Sequence, residues 1–121
     1  MFLYKFLFLT CCSINFFSCL FSAARPQLYA ALTNVTIPRD RKTFLWCHIS
    51  NKGEPAVTSG QVKWFFRSQN VTAKSSTISN TLSRLTINNA KPSDGGTYTC
   101  KVTNTAGLSA SANITLTVQG I

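Results

Sequence analysis

Acidic residues are nearly absent from this sequence. Asp40, Glu54 and Asp94 stand against twelve Lys and Arg, so the 121-residue chain carries a formal net charge of +9. Three isolated acids offer no paired carboxylates for general acid–base chemistry. Histidine is scarcer still. His48 stands beside Cys47 with no acid near it in sequence, and neither a catalytic dyad nor a metal-ligand spacing takes shape. No glycine-rich loop follows a strand and opens a helix, which sets aside the phosphate-cradling motifs. A helical period is also missing: after the first two dozen residues no apolar pattern repeats every 3.6 positions. These gaps argue against an enzyme, and neither a cofactor nor a metal is expected.

The chain does have a distinctive beginning. From Met1 to Ala24 the only charge is Lys5, followed by Phe6-Leu7-Phe8-Leu9, a mostly apolar run to Phe21, and the small residues Ser22, Ala23 and Ala24. A basic start, an apolar middle and small residues at −3 and −1 predict a secretory signal peptide over residues 1–24, cleaved after Ala24. The alternative is an uncleaved membrane anchor. Against it, the run is near the lower length limit for a span, and Thr10, Ser13 and Asn15 interrupt it. Either way, one domain over residues 25–121 is expected outside the cytosol, secreted or as the extracellular part of a membrane protein.

Cysteine and charge counts follow from that cut. Cys11, Cys12 and Cys19 leave with the signal, and Cys47 and Cys100 remain in a compartment where a disulfide persists. A loop of that size gives the crosslink about 4 kcal/mol in the chain-entropy model. Loss of Lys5 leaves eleven cations and three acids, a charge of +8 (11 − 3). Outside the cell such a balance suits heparan-type polyanions or acidic cell surfaces rather than nucleic acid. Arg39, Arg41 and Lys42 are the densest basic cluster, with a solvated turn as the alternative.

Short period-2 alternation fills the rest. Leu45, Cys47 and Ile49 form one inward set; Val62, Trp64 and Phe66 a second; Leu85 and Ile87 a third. Tyr98, Cys100 and Val102, then Ile114, Leu116 and Val118, complete it. Turn-forming stretches such as Lys91-Pro92-Ser93-Asp94-Gly95-Gly96 separate these runs. The pattern predicts an all-β sandwich. Both cysteines share the parity of their apolar neighbours and therefore point inward, and Trp64 is the large apolar body available to pack against their bridge.

Cys47, Trp64 and Cys100, with Leu85-Thr86-Ile87, Ala90 and Asp94-Gly95-Gly96-Thr97-Tyr98-Thr99-Cys100, resemble the immunoglobulin superfamily. Val102-Thr103-Asn104-Thr105-Ala106-Gly107 and Leu116-Thr117-Val118 are similar to its intermediate (I-set) type, found in adhesion molecules and receptor ectodomains. The resemblance covers about residues 28–118. It implies a two-sheet Greek-key sandwich with one inter-sheet disulfide, in which Leu85, Asp94, Gly96 and Tyr98 are fold determinants. Tyr98 is expected to bond back to the turn before its strand, Gly95 and Gly96 to turn a tight corner, and Asp94 to pair with Lys74 or, less readily, Arg67. Two departures stand out. Sixteen residues separate Cys47 from Trp64, which implies a long loop over about Ser50 to Gln61, and Arg39-Asp40-Arg41-Lys42 replaces the glycine turn usual before strand B. No C′–C″ stretch is evident between Phe66 and Leu82.

Three Asn-X-Thr sequons, at Asn34, Asn70 and Asn113, are candidate glycosylation sites. Parity turns Asn113 outward on strand G, where a glycan would cover part of the C-F-G face. Parity also turns out Trp46 and Phe65, on opposite sheets, as candidate partner anchors. The long loop is either a recognition segment or a flexible insertion. The expected function is non-enzymatic binding of an extracellular protein ligand or receptor, with weak homophilic pairing as a further mode; the alternatives are a heparan-type polyanion- or matrix-binding secreted protein, or the N-terminal domain of a larger immunoglobulin-domain receptor.

Overall fold

The computed structural model describes residues 22–120. The predicted signal segment therefore lies almost wholly outside the described residues. Nine strands form: β1 Gln27–Tyr29, β2 Asn34–Pro38, β3 Thr43–Asn51, β4 Lys63–Phe66, β5 Gln69–Asn70, β6 Ser75–Ser79, β7 Leu82–Ile87, β8 Gly96–Thr103 and β9 Ser109–Gln119. They make a four-stranded sheet ordered β1-β3-β7-β6 and a five-stranded sheet ordered β2-β9-β8-β4-β5. Pairing is antiparallel except between β2 and β9, which run parallel with Asn34 opposite Thr115. Two apolar inner faces packed together bury what the alternation placed inward.

The expected inward set is the observed core. Leu45, Cys47, Ile49, Val62, Trp64, Leu85, Ile87, Tyr98, Cys100, Val102, Ile114 and Leu116 are buried, while Phe66 and Val118 pack against them half-buried. Cys47 on β3 and Cys100 on β8 are disulfide-bonded across the sheets with Cα atoms 6.5 Å apart. Trp64 is fully buried, and its indole Nε1 donates a 2.9 Å hydrogen bond to the hydroxyl of buried Ser83 on β7. A single hydroxyl from the facing sheet thus satisfies the polar edge of the indole, which in an apolar core would otherwise carry a desolvation penalty.

The corner before β8 is built as the resemblance implied, with one correction. Tyr98 donates its hydroxyl proton to the Asp94 carbonyl at 2.7 Å. Gly96 has φ +145°, and a Cβ there would lie 2.9 Å from Phe66 Cε1, so backbone and space both call for glycine. The Asp94–Lys74 ion pair does not form. The Asp94 carboxylate instead accepts the Lys91 N–H at 2.8 Å, while Arg67 lies beside the corner, donating to the Gly95 carbonyl at 3.2 Å. A backbone donor three residues away holds the carboxylate, and the Arg67 guanidinium, 4.9 Å over the Phe66 ring, fills the adjoining space.

Three further differences from expectation have local causes. The stretch after Phe66 does contain a short C′ strand, two-residue β5, joined to β4 through Arg67 and Ser68, both at positive φ. Asp40 takes the place of the usual glycine with φ +66°, a conformation Asp tolerates better than most residues. The long loop is pinned rather than loose: Val57 is buried in the core, and the Ser59 N–H donates to the Asn80 carbonyl at 2.9 Å. The buried amide of Asn104 ties this loop to the segment before β1, donating to the Ala24 and Glu54 carbonyls at 3.1 Å each. Its oxygen accepts the Ala106 and Leu108 N–H groups, so both ends of the side chain are satisfied.

Candidate interaction surfaces

Strand alternation that buries one row must present the other, and the two sheets present different rows. On the five-stranded sheet, Asn113, Thr99, Phe65 and Asn70 are successive register partners across β9, β8, β4 and β5. Thr99 donates to Asn113 Oδ1 at 2.7 Å. In the next row out, Asn34 pairs with Thr115, which pairs with Thr97. All three sequon asparagines are exposed, and all three lie on the outer face of this one sheet. Phe65, half-buried and outward, stands between Asn70 and Thr99, so a glycan on Asn70 would start beside it.

The outer face of the four-stranded sheet is aromatic and basic. Phe44, Trp46 and His48 alternate along β3, and Lys42 precedes them at the same parity. Tyr29 from β1 stacks on His48 with ring centroids 4.8 Å apart. Phe44 and Trp46 meet edge to face at 6.1 Å. Arg84, opposite Trp46 on β7, lies 4.4 Å over the Phe44 ring and 5.6 Å from Trp46. A guanidinium on rings is a cation–π contact of about 0.5–2 kcal/mol according to its exposure. Trp46 is therefore outward, as its parity required, but half-covered by neighbours on its own sheet. Beside it, Leu32, Val35, Phe44, Trp46 and His48 line a depression at the sheet edge.

The basic cluster is only partly free. Arg39 pairs with Asp40 at 3.6 Å on the exposed turn, and Lys42 Nζ sits 5.9 Å from the Phe44 ring centroid. Arg41 is exposed, and its carbonyl accepts the Ala90 N–H at 2.9 Å. Among the described residues no group of three or more His, Cys, Asp and Glu comes together as a metal site. Sequence reasoning missed Arg84 and Tyr29 as members of this face, although the parity of Leu85 had already turned Arg84 outward.

A sandwich of this topology, with a bridged B–F pair, a core tryptophan and a tyrosine corner, is an immunoglobulin-type domain. The chain belongs to the immunoglobulin I-set family, whose pattern it matches over residues 26–118. It is 29% identical over 92 residues to smooth-muscle myosin light chain kinase of Gallus gallus, a match that takes in 75% of this chain and 5% of the kinase. Titin domain M7 superposes with a TM-score of 0.63 at 23% identity, over 82% of this chain and 98% of that one. The N-terminal four Ig domains of Dscam1 isoform 8.4 give 0.60 at 24% identity, over 80% of this chain and 22% of theirs. These likenesses show the fold. Domains of the family serve as binding modules, both outside and inside cells.

Proposed function

We propose that this chain is an extracellular recognition domain, exported by its N-terminal segment and acting by binding a protein ligand or receptor. The observation that carries the reading is the disposition of the three sequons: every acceptor asparagine is exposed, and all share one outer face. The Cys47–Cys100 bridge supports it, because such bonds persist in oxidising compartments. Removal of residues 1–24 would also take away the three cysteines outside the sandwich. Cleavage after Ala24 would give up the Ala24–Glu54 bridge, leaving Asn104 with the Glu54 carbonyl.

Intact-mass analysis of the chain expressed in an animal-cell host tests this. The expected product in the medium begins at Arg25, contains bonded cysteines and carries N-glycan on at least one of Asn34, Asn70 and Asn113. A product retained in the cell with Met1 in place and no glycan would overturn the proposal. Homophilic pairing through the five-stranded face would have to bury Asn70 and Asn113, so Asn113→Gln is expected to pair at least as well as the glycosylated chain. The polyanion alternative is weaker, because the cations are spread along the chain and Arg39, in the densest cluster, pairs with Asp40. Elution from heparin near physiological salt would remove it.

A further inference from the structure

Resting on the extracellular reading above, we infer that the outer face of the four-stranded sheet, centred on Arg84, is the partner interface, and that it receives a carboxylate-bearing, partly apolar segment of an acidic protein. Arg84 is held over Phe44 and Trp46 by ring contacts rather than by an anion. Its Nε is buried without a hydrogen-bond partner, and among the described residues the ion pair present is Arg39–Asp40, elsewhere on the surface. A guanidinium fixed on aromatic faces keeps a planar fork of donors suited to bidentate carboxylate recognition. The chain has little to offer it: Asp40 is engaged by Arg39, Asp94 by the Lys91 amide, and Glu54 belongs to the loop bridged to Ala24.

The surroundings narrow the occupant. Lys42 adds a second positive charge beside Phe44. The depression next to Trp46, with Leu32 66% exposed at its rim, accepts an apolar side chain next to the anion. No sequon lies on this face. A second copy of the chain is a poor fit, since a two-fold pairing would set Arg84 and Lys42 against their own images. A sulfated glycan has no apolar side chain for the depression, and two cations among rings are not the row of charges it would track.

The test is an NMR titration of the full chain with acetyl-Glu-Leu-Glu-Leu-Glu-amide, its all-Gln counterpart and a heparin tetrasaccharide. The acidic peptide is expected to saturate with a Kd of about 1 mM or tighter, moving the Trp46 indole N–H and amides of β3 and β7. The Gln peptide, or Arg84→Gln, should weaken binding by at least about fivefold, with Arg84→Lys in between. Replacing all three sequon asparagines by Gln should change nothing. The inference is overturned by absence of saturable binding at several times that concentration, by shifts centred on β4, β8 and β9, by equal affinity for the Gln peptide, or by tighter binding of the heparin fragment to the same residues. If Arg84→Gln loses its dispersed spectrum, the Gln peptide and Arg84→Lys read the same contact. Failed export alongside peptide binding would count against the extracellular reading alone.

Discussion

On the five-stranded sheet the outward row across β9, β8, β4 and β5 reads Asn113, Thr99, Phe65, Asn70; on the four-stranded sheet β3 and β7 set Trp46 against Arg84. The first row is polar, with one ring between a sequon asparagine and a threonine. The second is aromatic, cationic and free of sequons. Inward, each sheet contributes Leu, Ile and one half-cystine, while the large rings Trp64, Phe66 and Tyr98 all come from the five-stranded sheet. Inward parity thus carries the core in both sheets, while outward parity gives each sheet a different surface. The comparison can be broken at the core, where the two faces are held together, or sharpened at one face.

The largest effect is expected from Cys47→Ala with Cys100→Ala, which severs the link between the sheets. A loss of about 4 kcal/mol in urea-unfolding free energy is expected, enough to compromise both faces together. Trp64→Phe comes next, since it opens a void and leaves the Ser83 hydroxyl without its donor, for about 2–3 kcal/mol. Adding Ser83→Ala should recover part of that loss, and a double-mutant cycle measures the coupling. Gly96→Ala should cost about 1–3 kcal/mol by forcing a side chain into a positive-φ position against Phe66, loosening the corner of the five-stranded sheet first.

The smallest effect is a pH dependence. Burial, followed by the nearby Asp94 carboxylate, pushes the Tyr98 phenol up to about 12, with Arg67 pulling the other way. Below pH about 10 the phenol is protonated in both folded and unfolded chains, so its contribution is fully present. Between about 10 and 12 the unfolded chain ionises first, and stability falls. The loss specific to Tyr98 should be on the order of 1–2 kcal/mol after solvent screening, read as the difference between the parent chain and Tyr98→Phe over that range.

Much of this architecture could be read from residue order. The strands carrying Cys47, Trp64, Cys100 and Leu116 have apolar alternation strong enough to fix their faces, and the Asp94-to-Cys100 run located the corner. What escaped was held by backbone or by tertiary contact. β6 is Ser-Ser-Thr-Ile-Ser with no apolar alternation, and it forms because β7 offers a sheet edge. Val57 lies in a segment that reads as loop yet fills the core, and Ser83 is buried because an indole on the facing sheet needs an acceptor. The Asp94–Lys74 pair does not form; the Asp94 carboxylate accepts a backbone amide three residues away instead. Arg84 was passed over because one charged residue in a strand signals only an outward position. Its meaning comes from Phe44 and Trp46 beside it, which pairing in space brings together.

Hydroxyl-radical footprinting of the chain made in an animal-cell host, before and after treatment with an N-glycan-removing enzyme, probes the proposed division between the two faces most directly. Oxidation of Phe65 is expected to rise severalfold once the sugars are gone, while Trp46 and Tyr29 react equally in both samples. Unchanged Phe65 labelling, or a rise at Trp46 instead, would contradict the assignment of sugars to one sheet and partner to the other.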